Sequence, residues 1–591
     1  MTFPSILQSR VADAIAKTSK ADDLPDGFSV DVVSTQDPKF GDYQCNAAMV
    51  LAKRLKTNPR AFAAEVVELL DADDLIETPE IAGPGFLNFR LKPEVIANRL
   101  LELVQDERLG VPLVENPQTI VIDFSAPNVA KQMHVGHIRS TIIGDCLARV
   151  SRFLGHNVIT DNHIGDWGTQ FGMILYGWKN LLDEEGLKQD PIVELLRVYK
   201  AVNVETKDDE SILDLCREEL VKLQQGDAEN LEIWKKCVEL SLQGLAKIYD
   251  QLDIRFDHFL GESFYNDALQ PLVEELKEKG IATESDGAIC VFSDNSAKPE
   301  NDPLKIQKDG EWRDIPCMIQ KSDGGFNYAT TDLATIDYRV NEWNADQIWY
   351  VVGAPQQLHF RQVFEVTRMR GQNPNLVHVA FGSILGKDRK MFKTRSGQSV
   401  GLQEVLTESI ERAAAFLDAR EAEDDKFTLP AEEKPKVAQV IGISSVKYAE
   451  LSQGRMTDYI FDWDKMLSLK GNTAPYLLYS YVRTRGIFRK LDQDFVLPAE
   501  AEITEPAERI LAMALLRFGE IVPDVLNDHR PNVLAAYLYD LAKAYHSFFQ
   551  ACHVLSAEGT TRETRLLLCE ATSRVLQKGL GLLGIETIER M

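Results

Sequence analysis

Hydrophobic residues follow two different periods along this 591-residue chain, and the period predicts the elements. In residues 119–124 a β-branched run reads as a buried parallel strand. A short polar loop carrying Ser125, Pro127 and Asn128 follows. A helix is predicted to open near Met133, because Ile143, Leu147, Val150 and Leu154 share a face and Gly155 supplies a stop. Residues 158–160, 348–352 and 377–381 repeat the short apolar strand pattern between helical stretches. Strands alternating with helices from about residue 118 to 400 predict an α/β fold on a doubly wound parallel sheet, with ligands at its carboxyl edge.

The flanking regions read differently. Residues 1–112 predict a small α/β module, with helices at 44–55 and 60–70. In 86–91 the alternation puts Leu87, Phe89 and Leu91 on one face and Phe86, Asn88 and Arg90 on an exposed one. Charged helical sequence at 180–280, chiefly 211–223 and 229–251, reads as an insertion packed on the sheet domain. Residues 401–463 form a connecting helical segment, with a Pro-bearing acidic link at 421–435. From 464 to 591, spacings such as Leu511, Leu515, Phe518 and Leu566, Val575, Leu582 predict an all-α bundle. Four units result: 1–112, 113–400, 401–463 and 464–591.

Composition narrows the class only modestly. The 44% hydrophobic and 26% charged fractions are those of an ordinary globular chain. No run is long enough to span a membrane and Met1-Thr2-Phe3-Pro4 lacks a signal-peptide pattern, so a cytoplasmic protein with no membrane partner is expected. Eight dispersed cysteines without a Cys-x-x-Cys pair argue against disulfides and structural zinc. The net charge of −26 opposes nucleic-acid binding by the molecule as a whole. Residues 464–591, however, are nearly balanced, with 15 basic against 16 acidic side chains. There Arg483, Arg485, Arg489 and Lys490 lie beside Tyr476, Tyr479 and Tyr481. Arginines interleaved with aromatics suit stacked bases and phosphates, although a helix with buried tyrosines and surface arginines fits the same residues.

Two segments carry candidate chemistry. His134, Val135, Gly136 and His137 fall in the predicted first helical turn, where unpaired N–H groups and the helix dipole favour an anion. The two imidazoles can face one phosphate chain, and Gly136 leaves room for a base or ribose. About 250 residues downstream, Lys387, Arg389, Lys390, Lys393 and Arg395 crowd a glycine-punctuated loop. In an acidic chain that loop suits a clamp over triphosphate, although a solvated basic loop has the same composition. Tyr328 and Asp332, four residues apart at a predicted helix start, offer a phenol and a carboxylate on one face. A plain N-cap would also account for Asp332.

The two segments together resemble the HIGH and KMSKS motifs of class I aminoacyl-tRNA synthetases. The second reads Lys390-Met391-Phe392-Lys393-Thr394, with Phe392 and Thr394 where the motif has serines. Residues 125–145, 162–172, 328–332, 471–476 and the terminal Glu589-Arg590-Met591 are similar to bacterial-type arginyl-tRNA synthetases, across essentially the whole chain. The resemblance implies a HUP (Rossmann-like) catalytic domain that activates L-arginine with ATP, releases pyrophosphate and transfers arginine to the 3′ end of tRNA(Arg). It implies that His134, Gly136, His137, Lys390 and Lys393 bind ATP with its Mg²⁺, and that Lys131 adds charge near the triphosphate. Asp123, Ser125 and Asn128 match positions around the α-amino and carboxylate groups. Tyr328 and Asp332 match guanidinium ligands, and Gln356 a residue that orients the substrate. Phe86 and Asn88 match contacts to the D-loop corner of tRNA, while Tyr476, Tyr479, Arg483 and Met591 are expected at the tRNA interface of a monomeric enzyme.

Two other functions fit parts of the sequence. A nucleotidyltransferase of the same fold would adenylate a small carboxylic acid without RNA, and would not need the C-terminal helices. A non-catalytic RNA-binding relative would be expected to have lost a histidine of the first motif or the basic loop.

Overall fold

The computed structural model describes residues 2–591 apart from 26, 36, 387–399, 424–427 and 492. The predicted basic loop, with Lys390 and Lys393, therefore lies outside the described residues.

At the N-terminus, β1 (Val32–Ser34), β2 (Tyr43–Cys45), β3 (Glu80–Ala82) and β4 (Phe86–Phe89) form an antiparallel sheet in the order β1-β2-β4-β3. Helices α1 (Ala47–Arg54) and α2 (Pro59–Leu69) connect β2 to β3. The helix predicted from residue 44 starts later, because Tyr43, Gln44 and Cys45 pair with both β1 and β4. The exposed face predicted for β4 is also corrected. Asn88 is buried and accepts a 2.7 Å hydrogen bond from Gln44 Nε2, while Phe86 is half-buried. Gln44, directly opposite Asn88 on the paired β2, engages the polar side chain that alternation alone assigned to solvent.

The central domain rests on β5 (Thr119–Asp123), which leads through a loop into α3 (Gly136–Leu154) and back into β6 (Asn157–Asp161). The insertion follows, including α4 (Pro191–Asp208) and α5 (Ala228–Gln251). A three-stranded antiparallel sheet, β7 (Ala282–Ser285), β8 (Ala288–Val291) and β9 (Cys317–Gln320), was not expected from the sequence. Its strands are each four residues long. Next come α6 (Tyr328–Asn341), β10 (Gln347–Tyr350) and β11 (Asn375–His378). The parallel sheet has the order β11-β10-β5-β6, so β5 is central and Val121 and Ile122 are fully buried. Such two-sided burial explains its continuous rather than alternating apolar run.

Helix α3 ends as predicted at Gly155, which is left-handed (φ 97°) and returns its N–H to the last turn. On the same helix, a Cβ at Gly144 would stand 2.2 Å from the Phe124 ring, so glycine lets the helix approach the strand closely. After β12 (Ile384–Leu385), α7 (Leu402–Glu423) packs on α8 (Lys434–Leu451), and β13 (Tyr459–Ile460) pairs in parallel with β12. The C-terminal helices include α9 (Ala474–Phe488), α10 (Pro531–Ala551) and α11 (Gly559–Leu582). One apolar core runs from Leu7 and Phe62 through Ile138 and Leu147 on α3 to Leu538 and Leu576. The N-terminal module and the C-terminal bundle are therefore packed on the back of the sheet domain, leaving its carboxyl edge open.

Candidate active site

At that carboxyl edge the chain leaves β5 through an unusual loop. Ser125, Ala126 and Ala130 all have positive φ (76°, 45° and 59°), a left-handed backbone that non-glycine residues adopt at a cost. Surrounding elements hold it there. Ser125 N–H donates to Ser140 Oγ on α3 (2.8 Å), and Ala126 N–H donates to Asn162 Oδ1 after β6 (3.0 Å). Ala130 N–H donates to Ser241 Oγ on α5 (3.0 Å), and the Ser125 and Tyr249 hydroxyls lie 2.8 Å apart. The insertion thus braces the loop that precedes the histidines.

His137 sits in the first turn of α3, but His134 lies before the N-cap, Val135, which corrects the expected helix start near Met133. The structure instead pairs His134 with Gly401 as an antiparallel bridge. Val135 N–H donates to Val400 O (3.0 Å) and Leu402 N–H to Met133 O (2.8 Å). The first motif is thereby fastened to the chain emerging from the predicted basic loop, a tertiary pairing that no local pattern encodes.

The ring geometry settles what the histidines can offer. Their centroids are 4.0 Å apart. His134 N–H donates to Nδ1 of His137 (3.1 Å), and Gly136 N–H donates to Nδ1 of His134 (3.1 Å). Each Nδ1 is an acceptor, so each neutral ring carries its proton on Nε2. Burial, with His134 nearby, pushes His137 down to about 4. His134 is also lowered, by burial first and then by Lys131. Two neutral imidazoles that keep Nε2–H donors, set at a helix N-terminus, suit phosphate oxygens.

Beside them opens a cleft of about 630 Å³. It brings together seven of the residues expected at the ATP and substrate sites: Asp123, Ser125, Asn128, Gly136, His137, Asp332 and Gln356. Tyr328 also lines it, standing 71% exposed at the mouth. Asp332 lies one turn into α6, whose N-cap is Asn327, so capping does not explain it. Its carboxylate meets His359 Nε2 at 2.5 Å. Asp123 forms part of the floor. Arg339, fully buried, donates from Nη2 to Asp123 (2.7 Å) and to Asp161 (2.8 Å). Burial raises the Asp123 carboxyl while Arg339 opposes that rise.

Among the cleft residues that escaped sequence reasoning are His163, Glu262 and His359. Glu262 is pushed up to about 7, first by burial and then by Asp166 and Asp332, against the opposing influence of His163. A carboxyl held near neutrality beside another acidic side chain is a site prepared for a cation. The segment Gly261-Glu262-Ser263 carries no periodic signal, and only the fold brings it to the cleft.

Other predicted residues lie elsewhere. His134 and Lys131 are absent from the cleft lining, and Lys131 lies 5.0 Å over the Tyr199 ring and borders a second cavity. Arg483 is sandwiched between Tyr479 (5.1 Å) and Phe549 (4.8 Å), and Tyr476 Oη is 3.0 Å from Nδ1 of His546. Arg485 and Arg489 instead hold Glu589 of the C-terminal tail. Met591, expected at an RNA surface, is 3% exposed and joins the core. The tail folds back on α9, so its apolar side chain is buried rather than presented.

A parallel sheet with paired histidines at a helix N-terminus on its carboxyl edge, an acidic pocket beside them and a helical C-terminal bundle is the architecture of a class I tRNA synthetase. The family model described as tRNA synthetases class I (R), catalytic domain, matches residues 99–463. The arginyl-tRNA synthetase N-terminal domain matches 5–91, and the DALR anticodon-binding domain matches 477–591. The arginine–tRNA ligase of a Picosynechococcus species is 46% identical over 595 residues, covering 99% of each chain. That of Cellvibrio japonicus is 43% identical over the full length of both. Among solved structures, arginyl-tRNA synthetase from Plasmodium falciparum superposes with a TM-score of 0.82 at 29% identity, covering 100% of both chains. The Thermus thermophilus enzyme shares the fold with a TM-score of 0.81 at 23% identity. The chain belongs to the arginyl-tRNA synthetase family. No helix among the described residues is long and apolar enough to cross a membrane.

Proposed function

We propose that the protein is an arginine–tRNA ligase that activates L-arginine with ATP and transfers it to the 3′ end of tRNA(Arg). The observation that carries this reading is the juxtaposition, in one cleft, of a phosphate-facing helix N-terminus bearing His137 with the acidic end made by Asp332 and Glu262. A nucleotide needs the first and a guanidinium the second.

In the first step a carboxylate oxygen of arginine attacks the α-phosphorus of ATP in line. A carboxylate–phosphorus bond forms, the bond to the β-phosphate oxygen breaks, and pyrophosphate leaves with that electron pair. No protein nucleophile is required, so the rate comes from alignment and charge stabilisation. The Nε2–H groups of His134 and His137 donate to phosphate oxygens. Gly136 leaves the helix start open to the nucleotide. Asp332, with Tyr328 closing from the rim, receives the guanidinium alongside Glu262. Asn128, Ser125 and Gln356 orient the α-amino and carboxylate ends, while Asp123 and its Arg339 partner set the charge of the floor. Mg²⁺ is read as arriving with the triphosphate, whose oxygens hold it; the neutral imidazole donors of the helix start suit the phosphates rather than the metal. Lys390 and Lys393 are assigned to the leaving pyrophosphate, and Lys131 to a supporting charge. In the second step a ribose hydroxyl of the tRNA terminus attacks the adenylate carbonyl and AMP leaves.

Phe86 with Asn88, and Tyr476, Tyr479 and Arg483, are assigned to tRNA, the buried Asn88 as a support. The same reading includes a monomer acting in the cytoplasm, with domains divided at residues 112, 400 and 463. The test is ATP–pyrophosphate exchange with each amino acid, with and without tRNA. Exchange is expected with arginine only, and only when tRNA is present. Exchange driven by another amino acid would overturn the assignment, whereas strong exchange without RNA would overturn only the coupling.

A further inference from the structure

After β6 the chain runs from Asn162 to Asp166, and this short segment is bonded on both of its sides. On one side it holds the loop that follows β5. Gly165 N–H donates to Pro127 O (3.1 Å) and Val129 N–H donates to Gly165 O (3.0 Å), so Gly165 and Asn128 form a bridge. A Cβ at Gly165 would stand 2.2 Å from Asn128 Oδ1, so glycine lets the Asn128 carboxamide lie against the backbone.

On the other side the segment holds residues 260–263. Leu260 N–H donates to Asp161 Oδ1 (3.2 Å), and Glu262 N–H donates to Ile164 O (3.1 Å). Asp166 closes this clasp. Its Oδ1 accepts from Ser263 N–H (2.9 Å) and its Oδ2 from the Ser263 hydroxyl (2.6 Å). A Cβ at Gly261 would stand 2.5 Å from the Asp166 carboxylate, so only glycine permits the approach. Asp166 is 4% exposed and does not line the cleft, whereas Asn128 and Glu262 both do. A buried carboxylate is costly unless donors satisfy it, and Ser263 supplies two.

We propose that Asp166 is a positioning residue that acts through Ser263 to fix the separation between Glu262 and Asn128. It thereby selects the amino acid by the length of the chain joining its α-carbon to its guanidinium. The inference rests on the arginine–tRNA ligase reading above, in which Asn128 takes the α-carbon end and Glu262 the guanidinium. Negative charge alone attracts a guanidinium on a chain of any length. A homologue with one methylene more or fewer is rejected only when both ends of the substrate are held at a set distance. Residues 162–166 bond to both holders, so they set that distance. Asp332 reaches the guanidinium end from α6 and is held by His359 instead. Loss of the clasp therefore leaves attraction for a cation and removes its register.

The test is ATP–pyrophosphate exchange by the full-length protein with arginine-accepting tRNA present. Arginine is compared with its homologues one methylene longer and one methylene shorter. A ratio of kcat/KM values taken on one preparation does not depend on how much of the protein is folded, so a merely structural role does not move it. Wild type should prefer arginine by roughly 10- to 200-fold, the range that one methylene commands. Ser263→Ala removes one donor to Asp166 and keeps every charge. It should lower both ratios about three- to tenfold, as for one hydrogen bond to a carboxylate. Asp166→Asn should lower them further, and Ser263→Ala carries the test by itself where Asp166→Asn does not accumulate. The KM for ATP should stay within about twofold of wild type in both, because neither residue lines the cleft. In a Glu262→Ala background, Ser263→Ala should change the ratios no further, since the clasp acts through Glu262. Wild-type ratios in Ser263→Ala, or its full effect persisting in Glu262→Ala, would overturn the proposal and leave the ligase function standing. A wild-type protein that uses the longer homologue as well as arginine would do the same. Absence of exchange with arginine in the wild type would remove both readings.

Discussion

The catalytic cleft and the C-terminal bundle treat charge in opposite ways. In the cleft, charge is desolvated: Asp123, Asp161 and Arg339 are buried together, and Glu262 is raised to about 7. In the bundle the interior is apolar, with Leu511, Leu515, Leu538 and Leu567 fully buried, while Arg483 lies between aromatic rings near the surface. A small cationic substrate is discriminated by carboxylates that have already lost their water, because the contrast with a neutral competitor is then large. A polyanion is held by many hydrated contacts, each of modest worth and sensitive to salt. The same chain therefore places its costly electrostatics at the sheet edge and its inexpensive electrostatics on helix faces.

Four measurements test that contrast, in descending order of expected effect. Asp332→Asn keeps the shape and still offers His359 an acceptor, but removes a charge facing the guanidinium. It should cost arginine affinity about 2–5 kcal/mol, with the KM for ATP nearly unchanged; equal losses for both ligands would sink the role given to Asp332. Next, His137→Ala should lower arginine activation by roughly two to three orders of magnitude. Its melting temperature should hold near wild type, and an active variant would remove the phosphate role from this helix start.

The third is a pH profile. Glu262 titrates at about 7 because burial and acidic neighbours favour its protonated form, whereas a guanidinium requires the carboxylate. The KM for arginine should therefore fall about tenfold between pH 6 and pH 8. Glu262→Gln should flatten that dependence; a wild-type profile already flat in this window would refute it. The linked stability has the opposite sense. The folded value lies above the ordinary 4.5, so this contribution is complete below pH 4.5 and is lost as pH rises through about 7. The smallest effect belongs to the bundle. Arg483→Ala should weaken tRNA binding several-fold and reduce the salt slope by about one, without altering ATP binding. A slope unchanged by the substitution would take Arg483 off the phosphate path.

Much of the central domain was legible because its parallel strands fall in apolar runs and its helices are long enough to show a period. The run at 119–124 is buried on both faces, and α3 carries a one-sided stripe closed by Gly155. Asp332, Tyr328 and Gln356 were singled out by motif chemistry, and the fold brings them into the cleft that His137 also lines. Glu262 and His163 were missed because nothing local distinguishes them from other acidic and imidazole side chains. Burial and the approach of Asp166 and Asp332 give Glu262 its character. Asn88 and Met591 were misjudged for the converse reason, since a local pattern cannot show which neighbouring strand or helix will cover a residue.

The sequence by itself determined the class of fold, the order of its parts and the residue types needed to bind a nucleotide and a guanidinium. Those properties reside in periodicity and side-chain chemistry, which are local. Only the tertiary structure decided that His134 would precede its helix and pair with Gly401, that Lys131 would border a second cavity, and that Asp123 would share Arg339 with Asp161. Each depends on groups tens to hundreds of residues apart meeting in a medium of low polarity, where proximity and burial set their ionisation and hydrogen bonding.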